Sequence, residues 1–125
     1  MKVYVHLAMK KIYFLSSCST CQRIIQQLDL KNKAFIFQDI KTESITEVQL
    51  DEMKKKAGSY EALFSRVALK YKTLPLKPTS EKEFKSLILN EYTFLKRPVI
   101  IVGDQIFIGN NKNTIAEAEK VLQSL

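Results

Sequence analysis

A chain of 125 residues falls in the size range of one domain, and 46% hydrophobic against 26% charged residues is the balance of an ordinary globule rather than a disordered segment. Three Gly, three Pro and no repeating period exclude collagen-like, low-complexity and solenoid architectures, and no apolar run reaches the roughly 18 residues of a membrane span. Twenty Lys/Arg against thirteen Asp/Glu give +7, which favours anionic partners, yet the lysines are scattered and no recognition helix accompanies them, so no direct nucleic-acid contact is expected.

Leu15-Ser16-Ser17-Cys18 has the look of a lipoprotein cleavage site. Only Ile12 to Leu15 separate it from Lys10-Lys11, whereas a signal needs about 7–15 apolar residues. Export and membrane attachment are therefore rejected and a cytoplasmic location is expected. Two cysteines, Cys18 and Cys21, are too few for a disulfide-rich secreted scaffold. Met9-Lys10-Lys11 reads as a chain start, which makes residues 1–8 a flexible leader or upstream extension and 9–125 the domain.

Lys11–Leu15 is short, apolar and β-favouring, a buried strand. Hydroxyl-rich Ser16–Thr20 starts a helix with Ile24, Ile25 and Leu28 on one face, ending near 30–32. Ala34–Ile40 is a second strand, parallel to the first because a strand–helix–strand unit crosses over right-handed. Thr46 and Gln49 form a capping box, with Leu50, Met53 and Ala57 behind it and Gly58 closing the helix left-handed. Ser59 is expected to cap the next helix, with Tyr60, Leu63 and Phe64 inward. Pro75 and Pro78 mark a loop. Ser80 and Glu83 form a second capping box ahead of Phe84, Leu87 and Ile88. Val99–Val102 and Gln105–Ile108 flank Gly103-Asp104, a hairpin signal. Asn113 is expected to cap a last helix burying Ile115, Ala118, Leu122 and Leu125. The order is β-α-β, a helical insertion over about 44–92, then β-β-α, which is a thioredoxin-like α/β arrangement.

Cys18-Ser19-Thr20-Cys21 falls where the first strand feeds the first helix. Unpaired N–H groups and the helix dipole stabilise a thiolate there, and known Cys-x-x-Cys sites reach pKa values of about 3.5–7.5. Cys18, preceding the helix, is the expected nucleophile. Cys21, one turn in, is the expected resolving thiol. Three other readings compete: two inert structural cysteines; half of a zinc site, for which the sole remaining soft ligand is His6; and a tyrosine-phosphatase-type phosphate loop, from which Cys18 and Arg23 depart by being one residue too close. No metal, flavin or nucleotide is called for, and no glycine-rich phosphate loop occurs.

Ile12-Tyr13-Phe14 running into Cys18-Ser19-Thr20-Cys21-Gln22-Arg23, an insertion carrying Arg66, and Lys96-Arg97-Pro98 before a hairpin together resemble the arsenate reductase/Spx family over about residues 10–123. The resemblance implies a glutaredoxin-type, mixed four-stranded sheet with an all-helical insertion, and a cis Pro98 beside the active cysteine. It implies that Arg97 and Arg66, with Ser19 and Thr20 at the helix start, hold a small oxyanion or the charge of a disulfide substrate, since guanidinium forks match oxyanions. It implies an external reductant, glutathione, glutaredoxin or thioredoxin, with no bound cofactor. The third arginine of the family's arsenate reductases is expected at the hairpin end, which here reads Ile106-Phe107-Ile108-Gly109-Asn110-Asn111. Lacking one such cation in a desolvated site costs on the order of 2–4 kcal/mol of transition-state stabilisation. Gly109-Asn110-Asn111 and the Cys pair are closer to the Spx branch, which implies a second role, a redox-sensing regulator docking on the RNA polymerase α-subunit, with Gly58 at the contact. The bland reading of Gly58 is the helix cap, and that of Arg66 a solvated surface charge.

Overall fold

The computed structural model describes residues 9–125, so the leader reading of residues 1–8, and His6 with it, lies outside the described residues. The chain divides into two units, residues 9–39 with Arg97–Leu125, and Ile40–Lys96.

The first unit is built on four strands, β1 (Lys10–Phe14), β2 (Ile36–Asp39), β3 (Val99–Val102) and β4 (Gln105–Ile108). Their order in the sheet is β2-β1-β3-β4. β1 and β2 are parallel, joined through α1 (Ser19–Gln27), while β3 is antiparallel to both β1 and β4. This is the mixed sheet expected of a thioredoxin-like, glutaredoxin-type fold. One sheet face carries Ile12, Ile100, Val102 and Phe107, which cluster with Ile24 and Ile25 of α1, with Leu28 at its C-terminal cap, and with Ile115, Ala118 and Leu122 of α5 (Lys112–Gln123). Burying each large side chain contributes about 1.5–3 kcal/mol. The alternate residues Tyr13, Val99 and Ile101 are buried too. That explains why β3, Val99-Ile100-Ile101-Val102, reads as an unbroken apolar run.

α1 ends sooner than the apolar pattern suggests: Asp29 is left-handed (φ 54°) and a 3-10 turn, Leu30–Asn32, follows. The last helix is capped by Asn111, whose side chain accepts the Asn113 N–H at 2.8 Å, so Asn113 is the donor rather than the cap. Leu125, expected inside, is exposed because the helix stops at Gln123.

The second unit is helical: α2 (Glu47–Ala57), α3 (Leu69–Lys72) and α4 (Glu81–Asn90), with 3-10 turns at Glu61–Leu63 and Tyr92–Phe94. Both capping boxes form as read. Gly58 closes α2 at φ +97°, its N–H on the Lys54 carbonyl at 2.7 Å. The helix expected after Ser59 is only a 3-10 turn, although the Ser59 hydroxyl does accept the Ala62 N–H. Phe64 centres an aromatic cluster with Tyr71, Phe84 and Phe94. Phe64 and Leu95 form an isolated bridge tying the insertion's middle to its end. No described helix is long and apolar enough to cross a membrane.

Candidate functional site

The parallel register sets Phe14 beside Asp39, so the chain leaving β1 passes the end of β2. It then turns: the Cys18 N–H donates to the Leu15 carbonyl at 3.0 Å. Ser16, inside this turn, is held from two sides. Its hydroxyl donates to Asp39 Oδ2 (2.5 Å) and its N–H to Oδ1 (3.4 Å), while Gln22 Nε2 of α1 donates to its carbonyl (3.1 Å). The turn delivers Cys18 to the N-cap of α1 in an extended conformation (φ −94°, ψ 112°), with its carbonyl accepting the Gln22 N–H.

Helical spacing separates the two thiols. Cys21, Ile24, Ile25 and Leu28 recur at i, i+3, i+4 and i+7, so Cys21 belongs to the buried stripe and is fully enclosed. Cys18 precedes the helix and stays half-buried. Both are free thiols. Partial burial of Cys18 opposes ionisation and is the largest single influence on it. The Cys21 backbone N–H, the Cys21 thiol, the Thr20 backbone N–H and the charge of Arg97 together outweigh it, and the Cys18 pKa falls below its ordinary 9.0. The first-turn amides rank ahead of the arginine, as the helix-mouth argument requires. Burial pushes the Cys21 thiol up to about 11; the Leu15 backbone hydrogen bond opposes it, the charge on Cys18 and the hydrogen bond to it push the same way as burial, and Arg97 has the least effect, downward.

Arg97 is half-buried, with its Nε enclosed, and its charge acts on both cysteines. The Arg97–Pro98 bond is cis. Pro98 is buried, and its carbonyl accepts the Gly109 N–H at 2.8 Å, which ties the hairpin end to the proline; Gly109 reaches that position at φ +87°. Ser19 opens α1 and is exposed; Thr20 is half-buried. The fold thus gathers Cys18, Cys21, Thr20 and Arg97. Arg66 belongs to the helical unit. There its guanidinium pairs with Glu61 at 3.0 Å and lies over the Phe84 and Phe64 rings, and the Glu61 bond raises its pKa.

Cys18 is half-exposed rather than sealed inside apolar packing. The residues after it are helix rather than a loop wrapped around an anion, and Arg23 is an exposed residue of that helix, so the phosphatase-type reading does not hold. Among the described residues no group of three or more His, Cys, Asp or Glu is arranged around a common metal position. Sequence reasoning missed the side chains that hold the turn, Asp39 and Gln22. Chemically, the site sets a half-exposed thiol of lowered pKa beside an enclosed thiol of raised pKa and a half-buried guanidinium.

No curated protein matches the chain. Among solved structures it is similar to SACOL0876 of Staphylococcus aureus COL (26% identity over 87% of this chain and 97% of that one, TM-score 0.71). It is similar also to an arsenate reductase (ArsC) related protein of Brucella melitensis (23%, 88% and 92%, TM-score 0.67) and to an arsenate reductase of Vibrio cholerae (18%, 88% and 98%, TM-score 0.73). At these identities the likeness is one of fold. The model of the ArsC family matches residues 13–118, from β1 into α5. With a match over most of its length, the chain belongs to the ArsC family, on a thioredoxin-like fold.

Proposed function

We propose that this protein is a cytoplasmic thiol oxidoreductase that reduces arsenate or a disulfide. The Cys18 thiolate attacks the arsenic or one sulfur of the substrate, expelling water (with protons) or a thiolate. That attack consumes the Cys18 charge. Two of the influences that hold the Cys21 proton, the Cys18 anion and the hydrogen bond to it, then disappear, which eases its ionisation, while burial, the largest influence, stays. Cys21 attacks the Cys18 sulfur. The Cys18–substrate bond breaks, its electron pair leaves with the product as arsenite or thiol, and Cys18 and Cys21 are joined as a disulfide. An external dithiol or glutathione returns the two electrons.

Arg97 holds negative charge beside Cys18, and Ser19 and Thr20 offer hydroxyls at the helix mouth. Arg66 is carried as a second anion-holding arginine on the family resemblance; in this structure its guanidinium pairs with Glu61 within the helical unit. The observation that carries the reading is the opposed titration of an accessible Cys18 and an enclosed Cys21 one helical turn apart. Gly58 is accounted for by its left-handed helix cap without a polymerase contact.

The test is arsenate-dependent or disulfide-dependent NADPH consumption in the presence of a glutathione or thioredoxin recycling system. The reading requires a rate well above that of Cys18→Ser; equal rates with both substrates would refute it.

A further inference from the structure

We propose that Asp39 is a positioning residue for the reactive thiol: it anchors the turn from Leu15 to Cys18 through Ser16, and so keeps the Cys18 sulfur at the mouth of α1. This rests on the reading of Cys18 as nucleophile and names the residue that sets its reactivity.

The turn has few other fixed points. Ser16 and Ser17 are exposed, so no apolar packing holds them. The Cys18 N–H closes the turn on Leu15, but one backbone bond fixes its width and not its orientation about the β1 axis. That orientation comes from Ser16, whose hydroxyl and N–H are both taken by the Asp39 carboxylate, and whose carbonyl is taken by Gln22. The anchor on one side is the end of β2, locked in register with Phe14 by the sheet; on the other it is the first full turn of α1. Ser16 is therefore braced between the two elements that the turn connects. A carboxylate is the fitting group, because it accepts two hydrogen bonds at once and charge-assisted bonds are the stronger kind.

The thiolate at Cys18 depends on direction. Amide N–H groups of Cys21 and Thr20 stabilise it only if the sulfur lies over them, and hydrogen bonds weaken steeply as they bend. The other titratable and charged groups acting on Cys18 are the Cys21 thiol from α1 and Arg97 from the segment before β3. A turn free to swing moves the sulfur off the amides and restores an ordinary thiol. The carboxylate's charge acts in the opposite sense, since an anion near Cys18 raises its pKa. Placement and charge therefore give predictions of opposite sign.

The experiment is the pH dependence of iodoacetamide alkylation of the reduced full chain, with the adduct mapped by mass spectrometry to Cys18. It requires no turnover of any substrate. Wild type, Asp39→Ala, Asp39→Asn, Ser16→Ala and the Ser16→Ala/Asp39→Ala double variant are compared. Leu122→Ala, which lowers stability away from the turn, serves as control. Asn keeps one acceptor, for the Ser16 N–H, and can donate its amide to the Ser16 hydroxyl oxygen, so it loses the charge and reverses one hydrogen bond while still holding Ser16. The expected result is a midpoint moved up by about one unit in Asp39→Ala and Ser16→Ala, which is about tenfold less thiolate well below the midpoint. The double variant moves no further, Asp39→Asn stays within about threefold of wild type (half a unit), and Leu122→Ala is unmoved. Midpoints that fall in both Asp39 variants overturn the proposal in favour of a bare charge effect. A low wild-type midpoint that Asp39→Ala leaves in place overturns the proposal alone. A wild-type midpoint at or above the free-thiol value of about 8.5 overturns the reading of Cys18 as well.

Discussion

Cys21 hydrogen-bonds Cys18 from one helical turn further along α1, and the pair titrates in opposite directions, Cys18 down and Cys21 up. The same short stretch of backbone does both. Its first-turn amides serve the residue in front of the helix, while its apolar stripe encloses the residue within it.

Arg97 contributes to the low Cys18 pKa, but less than the backbone amides do. Arg97→Met is therefore expected to raise the alkylation midpoint of Cys18 by less than about one unit, with Arg97→Lys recovering most of the difference because the charge remains. Oxyanion use should suffer more than thiol reactivity, since a lysine cannot supply the forked donors. The checks are alkylation against pH and the substrate dependence of turnover, side by side.

The raised Cys21 pKa has a consequence for stability. The folded state keeps this proton more tightly than the unfolded chain, so the contribution is fully present below pH 9, where both states are protonated, and is lost as pH rises from 9.0 through about 11. Urea unfolding of the reduced protein at pH 8 and pH 11 should show an alkaline loss on the order of 2 kcal/mol attributable to this group. Cys21→Ala should remove that part of the slope while costing stability at pH 8, so the gap to wild type narrows at pH 11.

Gly58 caps α2 at φ +97° with nothing within 4 Å of where a Cβ would stand. Gly58→Ala meets no clash, so its cost is backbone strain alone, about 1 kcal/mol. A urea midpoint shift of that size with unchanged Cys18 alkylation is the expected outcome.

Ile100 lies fully buried in β3 among Ile12, Phe107 and Leu122. Ile100→Ala should cost about 2–5 kcal/mol through lost burial and the cavity left behind. Val at the same position should cost about 0.5–1.5 kcal/mol. Equilibrium unfolding monitored by circular dichroism reads both.

Local signals were the legible ones. The capping boxes at Thr46 and Ser80 and the Gly58 cap each depend on residues three or four apart, and all three formed. Short apolar, β-favouring runs placed the four strands to within two residues, and the position of Cys18-x-x-Cys21 at a strand–helix junction followed from that. The run Asn110-Asn111-Lys112-Asn113 offers several competent caps, and the two-residue error there is a choice between equivalent side chains. α3, Leu69-Lys70-Tyr71-Lys72, buries none of its residues and so left no periodic trace. The Ser16–Asp39 bond spans 23 positions and exists only because β1 and β2 pair in parallel with Phe14 beside Asp39, a register that no local pattern encodes. The Arg66–Glu61 pair was hidden for a similar reason, since its geometry depends on the path of the chain between a 3-10 turn and the Phe64–Leu95 bridge.

The division of labour between Cys18 and Cys21 is tested most directly by titrating reduced protein with an aromatic disulfide that releases a coloured thiolate, followed by intact mass. Wild type should release two equivalents per chain and end two hydrogens lighter, with Cys18 joined to Cys21. Cys21→Ser should release one and keep the aromatic thiol bound on Cys18. An adduct that persists on the wild-type chain, or one found on Cys21, would contradict the account.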